Sequence, residues 1–421
     1  MKNIHAELIT IGDEILYGQT LDTNTQWMSV ELGKIGVRIG RRSTIGDEEQ
    51  EILQLFKEAE TRADIILITG GLGPTSDDLT KPCLAKYFNC ELKMHAQALE
   101  DLTAFFKSRG RELSDLNRQQ AALPECCEYI PNEIGTAAGM WFHRNGKTFV
   151  SMPGVPHEMK RMMNLHIIPK LKASYAMPVI YHQMVRTVGI PESILAEKIK
   201  SWEENLPAHI KLAYLPTLGE VKLRLTATGA SLENLKSETE KLSSELMPLI
   251  GQFIYGYGEE SLENVLGKIL RERKLTLATA ESCTGGYLAH TITSIPGSSD
   301  YFKGSIIAYS NEIKINYLDV KEETLEKYGA VSEETVAQMA AGVRLRLNTD
   351  IGIATSGVAG PDGGTEEKPV GTIWIAYADA ENVICKKLQL TKERMVNIKF
   401  TATAALNLMR LNLVKQLEAK A

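Results

Sequence analysis

The chain has 421 residues, with 47 basic against 53 acidic side chains and a formal charge of −6. Hydrophobic residues make up 43% and charged residues 24%. That balance fits a folded chain of two to four domains and excludes collagen, coiled-coil and disordered classes. No apolar run reaches the ~18 residues of a bilayer span, and mild acidity argues against bulk nucleic-acid binding. The N-terminal stretch Met1–Leu8 runs into a strand pattern without the apolar core and cleavage site of a secretory signal. Six scattered cysteines (Cys83, Cys90, Cys126, Cys127, Cys283, Cys385) form no CxxC pair. A cytoplasmic, reduced protein without a zinc site or disulfide framework is therefore expected.

In chain order, Glu7–Gly12 reads as a short apolar strand, and residues 23–35 as a helix capped by Asp22 or Thr23. Asp64–Gly71 is a β-branched run ending in glycine, as for a strand covered on both faces. Lys147–Met152 is a late strand, followed by Pro153-Gly154-Val155-Pro156 and a helix. Repeated strand–loop–helix units predict a parallel sheet. Residues 170–255 change style. Strands are expected at Tyr181–Val188 and Val221–Ala227, and helices at Glu192–Trp202 and Leu232–Leu246, with breaks at Pro207 and Pro216. The α/β style returns at Ser261. A helix at Leu262–Arg273 is followed by strands at Leu275–Ala280, Gly304–Ala308, Asp350–Ser356 and Thr372–Ala378, then a terminal helix at Lys392–Lys415. The fold class is α/β in three domains: residues 1–168, a small α+β unit at 169–256, and residues 257–421.

Ligands of open α/β sheets bind beyond the carboxyl ends of the strands, and several motifs fall there. Gly12-Asp13-Glu14, with Asp22 and Asn24 close behind, follows the first strand. Thr69-Gly70-Gly71-Leu72-Gly73-Pro74-Thr75-Ser76-Asp77-Asp78 follows the next. Its glycines let backbone approach an anion, the amides of the next helix can hold phosphate oxygens, and Asp77 and Asp78 suit a hard divalent cation. The alternative is a turn ending in a capping aspartate. Neither a Walker A loop nor a GxGxxG fingerprint is present.

Glu281-Ser282-Cys283-Thr284-Gly285-Gly286 lies at a strand-to-helix junction. Ser282 there is either a nucleophile, with amides of the turn at Cys283–Gly285 and the helix N-terminus as an oxyanion hole, or a helix cap. Cys283 is an alternative nucleophile, or a buried apolar side chain. Tyr309-Ser-Asn-Glu-Ile-Lys314 follows another strand. Lys314 is either a desolvated base or an exposed helix residue. The loop from Ser356 through Gly357 and Gly360 to Gly364 suits a ribose phosphate, or merely connects strands.

With these residues assembled, the chain resembles the CinA family of competence/damage-inducible proteins over essentially its whole length. In the first domain the likeness rests on Thr10–Leu16, Thr69–Thr75 with Asp77-Asp78-Leu79-Thr80, Asn117-Arg118 with Gln120-Ala121, Gly135–Ala137 and Met152–Pro156. In the last it rests on Ala280–Gly286, Gly297–Ser299, Tyr309–Glu312 with Lys314, Gly329–Ser332, and Ser356–Gly364 with Lys368–Gly371. The resemblance implies a molybdopterin-binding-like domain with metal-dependent ADP-ribose pyrophosphatase activity (Co2+, Mg2+ or Mn2+, with K+ as an accessory ion). Its nucleotide site falls on Gly12, Asp13, Glu14, Asn24, Gly70, Gly71, Gly73 and Thr75, and its metal site on Asp77 and Asp78. It further implies a KH-like linking domain, marked by Thr187–Glu192, and a C-terminal nicotinamide mononucleotide deamidase that needs no metal. There Ser282 takes the nucleophile's place, Lys314 the lysine's, Tyr309 an accompanying tyrosine's and Arg394 that of a phosphate-binding arginine. Cys283, Thr284, Gly285, Ser356, Gly357 and Gly360 complete the oxyanion and substrate-binding set. A cytoplasmic homodimer without membrane or direct nucleic-acid contact is expected. The alternative is a non-catalytic nucleotide-, pterin- or partner-binding module linked to competence or DNA damage.

Overall fold

The computed structural model of the chain describes residues 4–75 and 77–418. Met1–Asn3, expected to lead into the first strand, and Ser76 of the glycine-rich loop lie outside the described residues. The chain divides into two compact units: Met1–Tyr181 with Thr228–Leu235, and His182–Ala227 with Lys236–Ala421.

The first unit is built on a six-stranded sheet in the order Arg38–Ile45, His5–Ile11, Ile65–Thr69, Lys147–Met152, Gly139–Arg144, Glu128–Ile130. Successive side chains alternate between two cores. Ile9, Ile66, Ile68 and Phe149 pack on one face, and Leu8, Ile65, Leu67 and Val150 on the other. Both faces are covered, which is why these strands read as unbroken apolar runs. The first four strands are parallel, as expected, but Gly139–Arg144 runs antiparallel to both of its neighbours. The cause is the turn Asn145-Gly146 joining Gly139–Arg144 to Lys147–Met152. Both turn residues have positive φ, at 53° and 73°, the hairpin geometry that Asn-Gly favours.

A separate pair, Leu92–Met94 with Ala122–Pro124, is antiparallel with Leu92 opposite Pro124. This register brings Cys90 and Cys126 to a Cα separation of 6.1 Å, and they form a disulfide. The expectation of uniformly reduced cysteines is corrected for this pair. A separation of 36 residues hid it in the sequence.

In the linking region the sheet order is Ile210–Thr217, Glu220–Gly229, Val179–Val188, Ile254–Tyr257, with helices at Glu192–Glu204 and Leu232–Ser244. Two of its four strands were not expected. Pro216 was read as a break, yet it sits near the end of the edge strand Ile210–Thr217, where its missing N–H is tolerated.

The C-terminal sheet has the order Phe302–Ile307, Leu277–Glu281, Ile351–Gly357, Thr372–Ala378, Val383–Gln389. The first three strands are parallel, and Thr372–Ala378 runs antiparallel to both of its neighbours. The helix Arg394–Glu418 contributes Ala402, Leu406, Met409 and Leu413 to a core that also holds Leu262, Leu266, Leu277 and Ile353. Val188 and Tyr255 of the linking region belong to the same core. Among the described residues no helix is long and apolar enough to cross a membrane.

Candidate active site

Three parallel strands of the second unit end side by side, with Glu281 registered against Ile307 and Thr355. The next residues along each chain segment form the candidate site. Ser282 leaves its strand with its amide donating to the Thr355 carbonyl at 3.0 Å. Ser310 caps the helix Asn311–Leu318 by accepting from the Ile313 amide, and this helix turns Lys314 inward. Lys314 is only 1% exposed, so the exposed-helix alternative is excluded. Its Nζ lies 3.2 Å from Ser282 Oγ and 2.7 Å from the Ala308 carbonyl oxygen. Among the described residues no carboxylate pairs with it, and burial holds its pKa below the ordinary 10.5. A lysine in that state can accept a hydroxyl proton at 3.2 Å.

Cys283 is also buried, and desolvation pushes its thiol up to about 12. A thiol that weakly acidic is a poor nucleophile near neutrality, so the geometry favours Ser282 over Cys283.

The donors near Ser282 differ from expectation. The helix Tyr287–Thr293 does not offer its N-terminal amides to a ligand. The carboxylate of Glu281, wholly buried, accepts from the amides of Gly286 (3.0 Å), Leu288 (3.0 Å) and Ala289 (2.7 Å). Gly285 is also engaged, its amide donating to the Ser282 carbonyl at 3.1 Å. Among the described residues no backbone carbonyl accepts from the amides of Cys283 and Thr284, so these two are the candidate donors to an oxyanion.

Other expected residues divide into structural and accessible ones. Thr284 Oγ1 pairs with Thr355 Oγ1 at 2.7 Å, and Ser356 Oγ donates to the Ala330 carbonyl at 2.6 Å. Both hydroxyls are buried and already partnered. Gly357 lies against Ile373, where a Cβ would come within 2.5 Å. Arg394 donates to the Gly360 carbonyl at 2.8 Å and to Tyr309 Oη at 3.1 Å. Tyr309 is 63% exposed, and its hydroxyl meets Arg394 rather than the serine–lysine pair. The accompanying tyrosine thus stands beside the arginine. Sequence reasoning missed Asn397. Wholly buried, it donates to the carbonyls of Ala359 and Thr391 (2.9 Å each) and so fixes the glycine-rich loop to the terminal helix. No local signal marks Asn397, whereas Glu281 is adjacent to the serine motif.

In the first unit, the parallel strand ends at Ile11, Thr69 and Met152 open on a cleft of ≈ 490 Å3. Gly12, Glu14, Gly70, Gly71, Gly73, Asp77 and Asp78 line it as expected, together with Asp47, Gln120 and Glu158. Gly70 has φ +101°, and a Cβ there would strike the Ile11 carbonyl at 2.0 Å. Only glycine allows this close backbone approach. Asp13, Asn24 and Thr75 are not in the lining. Asn24 is buried and donates to Thr69 Oγ1 (3.3 Å) and to the Gly154 carbonyl (2.7 Å), tying two loops together. Asp13 donates its amide to Asp47 at 3.2 Å. Asp78 closes the glycine loop, accepting from the amides of Gly73 (2.7 Å) and Thr75 (2.9 Å) and from the Thr75 hydroxyl.

Among the described residues there is no three-ligand cluster for a metal. An Mg2+-like ion does not need one, since one or two carboxylates with phosphate oxygens and water suffice. Partial burial, followed by the charges of Asp13, Glu14 and Asp77, holds the Asp47 carboxyl above its ordinary range. Asp47 and Asp77 both line the cleft, and their carboxylates are the donor type that a hard divalent ion takes, so the residues fit such a group.

Three family models cover the chain: a probable molybdopterin binding domain over residues 7–173, the damage-inducible protein CinA KH domain over 182–256, and the CinA C-terminal domain over 259–413. A CinA-like protein of Cytophaga hutchinsonii is 52% identical over 97% of this chain and 98% of its own length. The chain belongs to the CinA family. A CinA-like protein of Flavobacterium psychrophilum is 43% identical over 97% of this chain and 99% of its own. Among solved structures, the competence/damage inducible protein CihA of Agrobacterium tumefaciens is 36% identical. It covers 36% of this chain and 93% of its own, with a TM-score of 0.35. The three-domain α/β architecture thus agrees with the family's molybdopterin-binding-like, KH and C-terminal domains.

Proposed function

We propose that the second unit hydrolyses the carboxamide of nicotinamide mononucleotide, giving nicotinate mononucleotide and ammonia by a serine–lysine mechanism. The observation that carries this reading is Lys314 Nζ, buried without a carboxylate partner among the described residues, 3.2 Å from Ser282 Oγ. Neutral Lys314 takes the hydroxyl proton as Ser282 Oγ bonds to the carboxamide carbon. The C=O electron pair moves onto oxygen, facing the amides of Cys283 and Thr284. In known cases, loss of one such donor costs ~10²–10³ in rate. The tetrahedral centre collapses, Lys314 returns the proton to the leaving nitrogen, and ammonia departs. Water then cleaves the acyl-serine: Lys314 accepts its proton and returns it to the departing Ser282 Oγ, which restores the serine hydroxyl and the neutral lysine. Exposed Arg394, at the mouth of the Gly360 loop, suits the phosphate of the mononucleotide.

For the first unit we propose metal-dependent hydrolysis of ADP-ribose to AMP and ribose 5-phosphate. The support is the cleft, where glycine backbone faces crowded carboxylates. A bound divalent ion would neutralise phosphate charge and lower the pKa of a water. Asp47 and Asp77 would hold it, while Asp78 keeps the loop shaped.

Both readings are tested by assaying the purified full chain for ammonia release from nicotinamide mononucleotide and for AMP release from ADP-ribose, with and without chelator. Deamidation should be indifferent to chelator and pyrophosphate cleavage should require metal. Absence of either product under all metals would leave that unit a binding module.

A further inference from the structure

We propose that the second unit binds a small uncharged molecule, with an apolar body and one carbonyl-type acceptor, in a pocket separate from the serine–lysine pair. The pocket measures ≈ 400 Å3, within the range of small-molecule sites. It lies between the segment Val188–Glu192, the hairpin turn at Gly219 and one side of the terminal helix Arg394–Glu418. Val188, Ile190, Val221, Leu388, Phe400 and Leu408 supply its walls, and no residue assigned to deamidation lines it.

Four side chains of the lining are polar. Glu192 and Lys386 are exposed and of opposite sign, so they leave no net charge. Thr403 gives its hydroxyl to the Lys399 carbonyl at 3.3 Å and turns its methyl towards Gly219, 3.1 Å from where a Cβ would stand. Asn407 differs from these three. It is only 8% exposed, and its Oδ1 accepts from Arg410 Nε at 3.0 Å. A guanidinium only donates, so this bond fixes which end of the amide is oxygen.

The other end points at the pocket. A Cβ on Gly189 would lie 2.7 Å from Asn407 Nδ2 but 3.9 Å from its Cγ, so the nitrogen leads towards Gly189, itself part of the lining. Gly189 has φ +77°, and any side chain there would cover the amide. Among the described residues no acceptor takes Nδ2, and the atom is not sealed from the space beside it. An unmet donor among apolar walls is costly, and native interiors rarely keep one. A bound molecule that brings an acceptor meets it. The walls set the rest of the ligand. A charged group would give up its hydration to apolar side chains, with no buried ion to replace it, so the body is apolar and uncharged.

The test is equilibrium dialysis of the full chain against 2-acetylnaphthalene and 2-ethylnaphthalene, which are alike in shape and differ in the carbonyl. Each should bind once per chain. Asn407→Asp keeps a partner for Arg410 but puts an acceptor where the donor stood. It should weaken the ketone at least tenfold, about the worth of one hydrogen bond to a buried group, and leave the ethyl compound within twofold. Ala404→Phe fills the pocket, so neither compound should bind, and Tm should hold or rise. A readout that needs no variant is the carbonyl stretch of the bound ketone, which should lie below its value in hexane. Equal losses of both compounds in Asn407→Asp, an undiminished ketone, an unshifted stretch, or retained binding or a lowered Tm in Ala404→Phe would each overturn the proposal. So would tighter binding of 2-naphthoate than of the ketone, or no binding of either neutral compound. Binding that fades as the chain is concentrated would give the pocket to a second copy and overturn it as well.

Discussion

At the scale of single residues, Ser282, Cys283 and Lys314 separate by burial and partner. Cys283 is a nucleophile candidate only while its thiol is acidic, and burial drives it the other way, to about 12. Ser282→Ala should therefore abolish ammonia release while Cys283→Ala retains it within about tenfold, or ~1.4 kcal/mol. The reverse ranking in steady-state assays would remove the serine mechanism. Lys314→Met should also be inactive, since it keeps an apolar stem and loses the base. The pH profile gives a second handle. The active form is neutral Lys314, so kcat/KM should climb with pH through an acid limb below 10.5, the ordinary lysine value. The stability sign follows from the same depression. Between the lowered folded pKa and 10.5 the unfolded chain binds more protons at Lys314, so this group's contribution to stability rises with pH across that window. Lys314→Met relieves the burial of an amine, so its Tm near neutrality should equal or exceed that of the unsubstituted chain. A variant with lowered Tm and an unchanged acid limb would make Lys314 a packing residue.

At the scale of elements, Glu281 decides how the serine loop is built. Its carboxylate takes three amides at the start of Tyr287–Thr293, including that of Gly286, whose φ of +100° turns the chain into the helix. Glu281→Ala leaves these donors buried without an acceptor. It should cost about 3 kcal/mol and lower Tm by roughly 6–12 °C for a unit of this size. A melt shifted by less than about 2 °C would mean that water replaces the carboxylate. The motif that includes Glu281 was legible in the sequence, but its role was not, because sequence spacing cannot say which acceptor a free amide finds. The same limit applies to Asn24, read as ligand-facing and found tying segments together, and to Asp78, which lines the cleft as expected but also closes the glycine loop. Buried strands such as Ile65–Thr69 and Thr372–Ala378 were legible because coverage on both faces demands continuous apolar residues. Most edge strands were not, Phe302–Ile307 being an exception. Val383–Gln389 carries Lys386 and Lys387 on largely exposed positions, the charged dress that keeps an edge from pairing with strangers. Asn397 lay beyond reach for another reason, since its partners Ala359 and Thr391 are set by the tertiary fold alone.

At the scale of the whole chain, the serine–lysine site and the core beneath it have different boundaries. Every residue assigned to deamidation lies between Ser282 and Arg394, inside the family's C-terminal domain at residues 259–413. The core does not stop there, because Val188 and Tyr255 pack into it. Arg410, 4% exposed, donates to the carbonyls of Ile254 (3.1 Å) and Gln252 (2.6 Å). Burial depresses this guanidinium to about 10. Cutting at residue 259 strips two apolar side chains from the core and removes both carbonyls, but it also returns Arg410 to water, which offsets part of the loss. A fragment of residues 259–421 should therefore fold and deamidate with kcat/KM within tenfold of the full chain, yet be less stable than a fragment of residues 182–421 by about 2–4 kcal/mol. Urea titrations of the two fragments give the difference directly. Equal midpoints and slopes would show that the linking region only leans on the core. A fragment 259–421 that melts cooperatively but releases no ammonia at any concentration would place an essential residue outside it, and the site described above would be incomplete.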